Sequence, residues 1–352
     1  MISAPYGFLD SLFPSLSKDQ LETIQRLDAP QWTSAARLQL QRRRYFDVDV
    51  TVYYNGRENQ FKKGRYGLAI REIPKDDDHR DLFSCTTLSK IKSLDQKFVK
   101  FNNVTFQFRY YIDGRFTSSL DSIVDYITPL LDSGSCLRIL ADTCESEAMG
   151  NNFRDLLETA TFDQFLKFEG LELHSDRYNI LPELSTLLKY HVDNNENLKF
   201  LNFADRSYWD GQKDVIMKFV NRKGPKTLCI GIDMICVAEL VENWLKDPSF
   251  ELKLCVNGNW PNLEKVRNHV HYYGQDEENN RYYGRIHPEN EKSCVVIKLG
   301  EAEDDDWYCV HFSADKHLLP EGERAILALQ CSTHCYVCNP DLGNSDAGDV
   351  WG

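Results

Sequence analysis

The chain has 352 residues, 42% of them hydrophobic, enough for a substantial core and more than the commonest single-domain size. A net charge of −13 disfavours nucleic acid as the main partner, because gripping phosphates takes concentrated Lys and Arg. No stretch approaches the roughly 18 uninterrupted apolar residues of a membrane helix, and Met1 to Pro14 has neither a basic start nor a long apolar run, so no membrane span and no secretory signal are expected.

Residues 1–44 read as a helical segment. Phe8, Leu9, Leu12, Phe13 and Leu16 make one apolar face, and Pro14 marks a break. Ser17 followed by Gln20 is a capping-box pattern, after which Leu21, Ile24 and Leu27 continue at helical spacing. Ala29-Pro30 interrupts the chain again, and Trp32, Ala35, Ala36 and Leu40 predict a third helix. The run Arg42-Arg43-Arg44 reads as the exposed end of that helix, with a small anionic contact as the alternative.

The period then changes to two. Phe46, Val48, Val50 and Val52 alternate with polar residues, Asn55-Gly56 signals a hairpin, and the return strand falls near Tyr66 to Ile73. Lys75 to Asp78 is a charged loop, so residues 45–99 form a hairpin and connecting region.

Residues 100–260 are repetitive. Six stretches share an apolar-x-x-apolar-x-apolar spacing: Phe101/Val104/Phe106, Leu137/Ile139, Phe168/Leu171/Leu173, Leu198/Leu201/Phe203, Leu228/Ile230 and Leu252/Leu254, with Gly134, Pro225 and Ser249 filling the first slot of three. Their central residues are spaced by 33, 34, 30, 27 and 24. Amphipathic helices lie between them, with stripes at Leu120/Ile123/Val124/Ile127/Leu131, Phe153/Leu156/Leu157, Leu181/Leu184/Leu187/Leu188, Val215/Ile216/Phe219/Val220 and Val237/Leu240/Val241/Trp244/Leu245. Two architectures satisfy this alternation. One is an irregular leucine-rich-repeat-like β-α solenoid, in which each unit buries its faces on its neighbours; the other is an ordinary doubly wound α/β sheet. The spacing favours the solenoid, in a degenerate form without the usual Asn or Cys at the strand end. In that reading Glu172, Lys199, Asn202 and Lys253 are exposed strand-face residues available to a partner on the concave side.

Residues 261–338 predict a small C-terminal β-rich cap, with strands at Val270–Tyr273, Cys294–Ile297, Trp307–Phe312 and Ala325–Leu329. The Gly, Asp, Asn and Ser of residues 339–352 predict a disordered tail.

Eleven cysteines, an odd number, sit mostly in apolar stretches such as Leu228-Cys229-Ile230 and Leu254-Cys255-Val256. They read as reduced, buried small hydrophobes, which suits a cytoplasmic or nuclear protein. Cys331, His334, Cys335 and Cys338 form the densest local cluster and are candidate zinc ligands, with Cys309, His311 and His317 close upstream. No paired C-x2-C units accompany them, and no other cofactor is implied. His269-x-His271 reads as a surface pair. The segment from Asn221 to Thr227 lacks phosphate-loop spacing and suits a helix end with Gly224 in the left-handed conformation. With no nucleophile elbow and no H-E-x-x-H, nothing points to an enzyme.

Pro5-Tyr6-x-Phe8-Leu9-Asp10-x-Leu12, followed by helix signals to Trp32, resembles the start of an F-box, although Gly7 stands where that motif carries an acidic residue. Together with the hairpin after Arg44 and apolar repeats ending in Val241-Glu242-Asn243-Trp244, the chain resembles the nematode-expanded F-box-associated families. The resemblance implies a protein that docks onto Skp1 and presents a substrate to a cullin ubiquitin ligase. It implies Pro5, Phe8, Leu9, Leu12 and Leu16 as the Skp1-facing residues.

Overall fold

The computed structural model describes residues 6–54, 66–74, 84–110, 120–140, 166–174, 182–203, 210–230, 237–257, 266, 268–275, 280–300 and 307–327. The chain is mixed α/β and divides into two compact units, Met1–Leu198 and Lys199–Gly352. No helix among the described residues is long and apolar enough to cross a membrane.

The first unit begins with α1 (Tyr6–Leu12), a 3-10 turn (Phe13–Ser15), α2 (Lys18–Gln25) and α3 (Pro30–Arg42). Pro14 and Pro30 both occupy first-turn positions, where a missing N–H leaves no helical bond unmade. The Ser17 capping box forms as its spacing predicts: the Gln20 backbone N–H donates to Ser17 Oγ at 3.1 Å, and the Ser17 N–H donates to Gln20 Oε1 at 2.9 Å. Leu9, Phe13, Leu21 and Ala36 form the segment's core, with Trp32 tilted against Phe13 at 5.8 Å.

The triple arginine is not simply an exposed helix end. Arg42 is exposed, but Arg43 is fully buried and Arg44 is ion-paired with Glu72. The Arg43 guanidinium donates to the Leu16 carbonyl at 2.8 Å and the Phe13 carbonyl at 3.1 Å, and lies 3.6 Å from the buried Asp132 carboxylate. It therefore caps the Phe13–Ser15 turn and ties the helical segment to the sheet that follows.

That sheet contains β1 (Arg44–Tyr54), β2 (Tyr66–Ile73), β3 (Ser84–Thr86), β4 (Val99–Tyr110), β5 (Leu131–Leu140) and β6 (Gly170–His174). The order is β6-β5-β4-β1-β2-β3; β1, β4, β5 and β6 are parallel, and the β2–β3 edge is antiparallel. Among the described residues three α-helices accompany it: α4 (Leu88–Lys92), α5 (Leu120–Ile127) and α6 (Pro182–Asn194). The apolar slots of the repeat are buried on one face: Phe46, Val48 and Val50, then Phe101, Val104 and Phe106, Leu137 and Ile139, Leu171 and Leu173. α5 lies over this face, with Tyr126 edge-on to Phe101 at 6.2 Å.

The second unit holds β7 (Phe200–Phe203), α7 (Lys213–Val220), β8 (Thr227–Ile230), α8 (Val237–Lys246) and β9 (Leu252–Asn257). An antiparallel group follows: β10 (His271–Gln275), β11 (Arg281–His287), β12 (Asn290–Gly300) and β13 (Trp307–Ser313), then α9 (Glu321–Leu327). The order is β10-β11-β12-β13-β9-β8-β7, parallel only from β7 to β9. Trp244 of α8 is fully buried; its indole N–H donates to Ser293 Oγ at 2.9 Å, and its ring packs on His287 and Phe312. Gly224 takes φ +84 after α7, the left-handed helix end its position predicts.

Two expectations are corrected here. The apolar run at Ala325–Leu327 is helical, because Pro320 and the acidic first turn of Glu321 and Glu323 start a helix there; residues 328 and 329 lie outside the described residues. The sixth repeat is also offset: Leu228 pairs with Leu254, not Leu252, so the strand slides by two residues and keeps the same face inward.

Candidate functional site

In a parallel strand the residues between the inward apolar ones emerge on the opposite face. Each parallel strand follows the previous parallel one on the same side, and right-handed crossovers put the connecting helices on one face. The x slots of the repeat therefore line a surface that those connecting helices leave uncovered.

In the first unit this surface carries charge. Asp47 accepts from the Asn103 backbone N–H at 3.1 Å and from Asn103 Nδ2 at 2.9 Å, yet burial raises its carboxyl above the usual range against those bonds. Asp49 pairs with Arg71 at 2.7 Å. Arg138 and Glu172 are direct neighbours on β5 and β6, with Nε 2.9 Å from Oε2. His174 Nε2 lies 3.6 Å from the same carboxylate oxygen. Burial works to raise the Glu172 carboxyl, but hydrogen bonds from His174 and Arg138 and the Arg138 charge overcome it and hold the group low. Of the sequence-predicted contact residues, Glu172 is thus present on the expected face but already engaged.

In the second unit the same slots form a transverse row, Asn202–Cys229–Cys255–Cys309–Lys298–Tyr282, across β7, β8, β9, β13, β12 and β11. Cys309 Sγ lies 3.1 Å from Cys255 Sγ, and Cys229 hydrogen-bonds Cys255 from the other side. These three thiols are half-buried on the polar face, which corrects the reading of Cys229 and Cys255 as buried small hydrophobes; of the five cysteines whose side chains are described, Cys136 and Cys294 are buried. Lys298 Nζ sits 5.2 Å from the Trp307 ring centre and 5.6 Å from that of Tyr282. A second row sets Thr227 beside Lys253 and Lys253 beside His311, whose Nδ1 lies 2.8 Å from Glu323 of α9. Lys253 is exposed, Asn202 is half-buried, and the exposed Lys199 just precedes β7, its carbonyl accepting from the Thr227 N–H at 2.8 Å. An open cleft of about 490 Å³ is lined by Tyr273, Gln275, Tyr282, Lys298, Glu323 and Ile326.

The helical segment carries a different kind of surface. Among the described residues five large hydrophobic side chains are exposed, and three of them, Phe8, Leu27 and Leu38, lie in this segment. Phe8 is 50% exposed with its ring edge-on to Trp32. Leu9 is buried in the segment core, and Leu12 and Leu16 are half-buried against it. Pro5 lies outside the described residues, as do Cys331, His334, Cys335 and Cys338. Among the described residues no group of three or more His, Cys, Asp or Glu is arranged to hold a metal ion. His269 sits in the turn before β10 rather than on a strand with His271, and its carbonyl accepts from Arg285.

Sequence reasoning missed Arg138, His174, Cys309 and the His311–Glu323 pair as members of this surface. The signal was available for four of them: Arg138, His174, Cys309 and His311 each lie in or beside an x slot between inward apolar residues, whereas Glu323 comes from α9. Compared with known proteins, the chain matches no family model, no curated protein and no solved structure.

Proposed function

We propose that this protein is a protein-binding module of the cytoplasm or nucleus, an F-box-type substrate receptor in which the N-terminal helices dock Skp1 and the polar strand face holds the substrate for a cullin ubiquitin ligase. In this reading the β–α repeats are an irregular leucine-rich-repeat-like curve. Support for the curve comes from the strand order, which adds each parallel strand outside the last, from β1 through β4 and β5 to β6 and from β7 to β9, with only the antiparallel β2 and β3 on the other side of β1. A doubly wound sheet has such a reversal, and its ligand crevice sits there.

The observation that carries the docking reading is the exposure of Phe8, Leu27 and Leu38 on a segment that otherwise has its own small core. Apolar side chains left in water on a short helical segment are the usual raw material of a helix-face interface. Native affinity purification of the full chain tests it. Skp1 and a cullin recovered together is the expected result; their absence, with other proteins retained, leaves the second reading.

That second reading is a repeat scaffold without a ligase link, binding a protein through Glu172, Lys199, Asn202 and Lys253. It is favoured by the charged and amide side chains on the strand face of each unit. Charge reversal at Lys199 and Lys253 that releases the recovered partner supports it.

A further inference from the structure

Three thiols stand side by side on one face of three adjacent strands: Cys229 on β8, Cys255 on β9 and Cys309 on β13. A row of three sulfurs across a sheet does not surround one ion, in keeping with the lack of a metal-holding group among the described residues. It does place the outer two as hydrogen-bond donors to the middle one. Cys255, as the middle sulfur, accepts from Cys229 and Cys309 and lies near Lys253 and His311; these bonds and charges hold its thiol well below the ordinary range. Cys309, as donor, is held high. The two buried cysteines are held high as well, burial pushing Cys136 up and Cys294 to about 12, so Cys255 stands apart. All three row cysteines are half-buried, unlike Cys136 and Cys294.

We propose that Cys255 and Cys309 form a peroxide-oxidisable pair, with Cys255 as the attacking sulfur and Cys309 closing a cross-strand disulfide between β9 and β13. The Cys255 sulfur attacks one oxygen of a hydroperoxide, the O–O bond breaks, and the departing oxygen takes a proton to leave as water or an alcohol. Cys255 becomes a sulfenic acid, oxidised by the two electrons that reduce the peroxide. The Cys309 sulfur then attacks the Cys255 sulfur, its proton leaves with the sulfenic hydroxyl as water, and the S–S bond forms. The sulfurs are 3.1 Å apart and must close to about 2.05 Å. Directly opposed antiparallel residues have Cβ atoms about 4.5–5.5 Å apart, so a modest closing of the two strands reaches disulfide geometry. Cys309 rather than Cys229 is the closing thiol because the antiparallel β9–β13 pair sets it opposite Cys255 at contact distance.

The test uses the reduced full-length chain, one equivalent of hydrogen peroxide, alkylation of the remaining thiols and peptide mapping. The expected product is a Cys255–Cys309 linked peptide pair lacking two hydrogens, with Cys136 and Cys294 alkylated. In Cys309→Ser, dimedone should trap a sulfenic acid on Cys255 that it does not trap in the wild type. Recovery of both Cys255 and Cys309 as free thiols from the oxidised wild type, or a Cys229–Cys255 link as its main product, overturns the proposal without reliance on any variant.

Discussion

The two units build the face opposite their inward apolar residues from the same strand pattern and fill it with different chemistry. In the first unit the slots between inward apolar residues hold Asp47, Asp49, Arg138 and Glu172, paired with Asn103, Arg71 and one another. In the second they hold Asn202 and a row of thiols. The backbone geometry of a parallel sheet fixes where these side chains emerge, and the residue chosen decides whether the surface answers to protons and salt or to oxidants. The anchors differ likewise. The first unit is tied internally by a buried charge, Arg43, and the second by a buried aromatic, Trp244.

That contrast can be broken at its anchors first. Arg43→Met leaves the buried Asp132 without the Arg43 charge and frees two carbonyls, and should cost about 3–5 kcal/mol; Trp244→Ala should cost about the same through the void it leaves. Denaturant unfolding followed separately in each unit should show the Arg43 loss in the first and the Trp244 loss in the second, while Arg42→Ala on the exposed neighbour stays within about 0.5 kcal/mol. A loss from Arg42 equal to that from Arg43 would contradict the assignment of the buried guanidinium.

Acid should act next. His191 of α6 is fully buried, and burial lowers its imidazole to about 4. Its folded value lies below the unfolded one near 6.5, so it contributes stability that is complete above about pH 6.5 and is lost as pH falls toward 4, by up to about 3 kcal/mol. Thermal melts across that window should show the first unit weakening, and His191→Leu should flatten the dependence. A profile in His191→Leu as steep as the wild type would assign the acid loss elsewhere.

The smallest expected effect lies on the face itself. Glu172 is held low in the fold, so its contribution is present above its unfolded value and disappears as pH drops through the folded one. Glu172→Gln should therefore destabilise by about 1 kcal/mol at neutral pH, since Arg138 is partly in solvent, and by less near pH 3. An equal loss at both pH values would mean shape, not charge, is what the position needs.

Much of this was legible in the chain. Ser17 and Gln20 gave away the start of α2, Tyr66 to Ile73 the return strand, and the apolar spacing the parallel strands, because each is a short-range signal with one dominant solution. The thiol row was legible in part, since Leu228-Cys229-Ile230 and Leu254-Cys255-Val256 put each cysteine opposite to its inward neighbours; treating cysteine as a generic hydrophobe hid it. Arg43 was obscured by its two arginine neighbours, although it lies seven residues after Ala36 and four after Gln39 on the buried face of α3. The placement of α9 and the pairing of Cys255 with Cys309 depend on the antiparallel strands β10 to β13, whose order no local pattern encodes.

The reading of the chain as a ligase receptor rests on the exposed apolar residues of the first helices. Titration of the purified full chain with purified Skp1, beside a Phe8→Glu, Leu27→Glu variant of unchanged helicity and melting point, tests it directly. Saturable binding by the wild type, weakened at least tenfold in the variant, is the predicted result; no binding by the wild type at micromolar concentration, or equal binding by both, would contradict it.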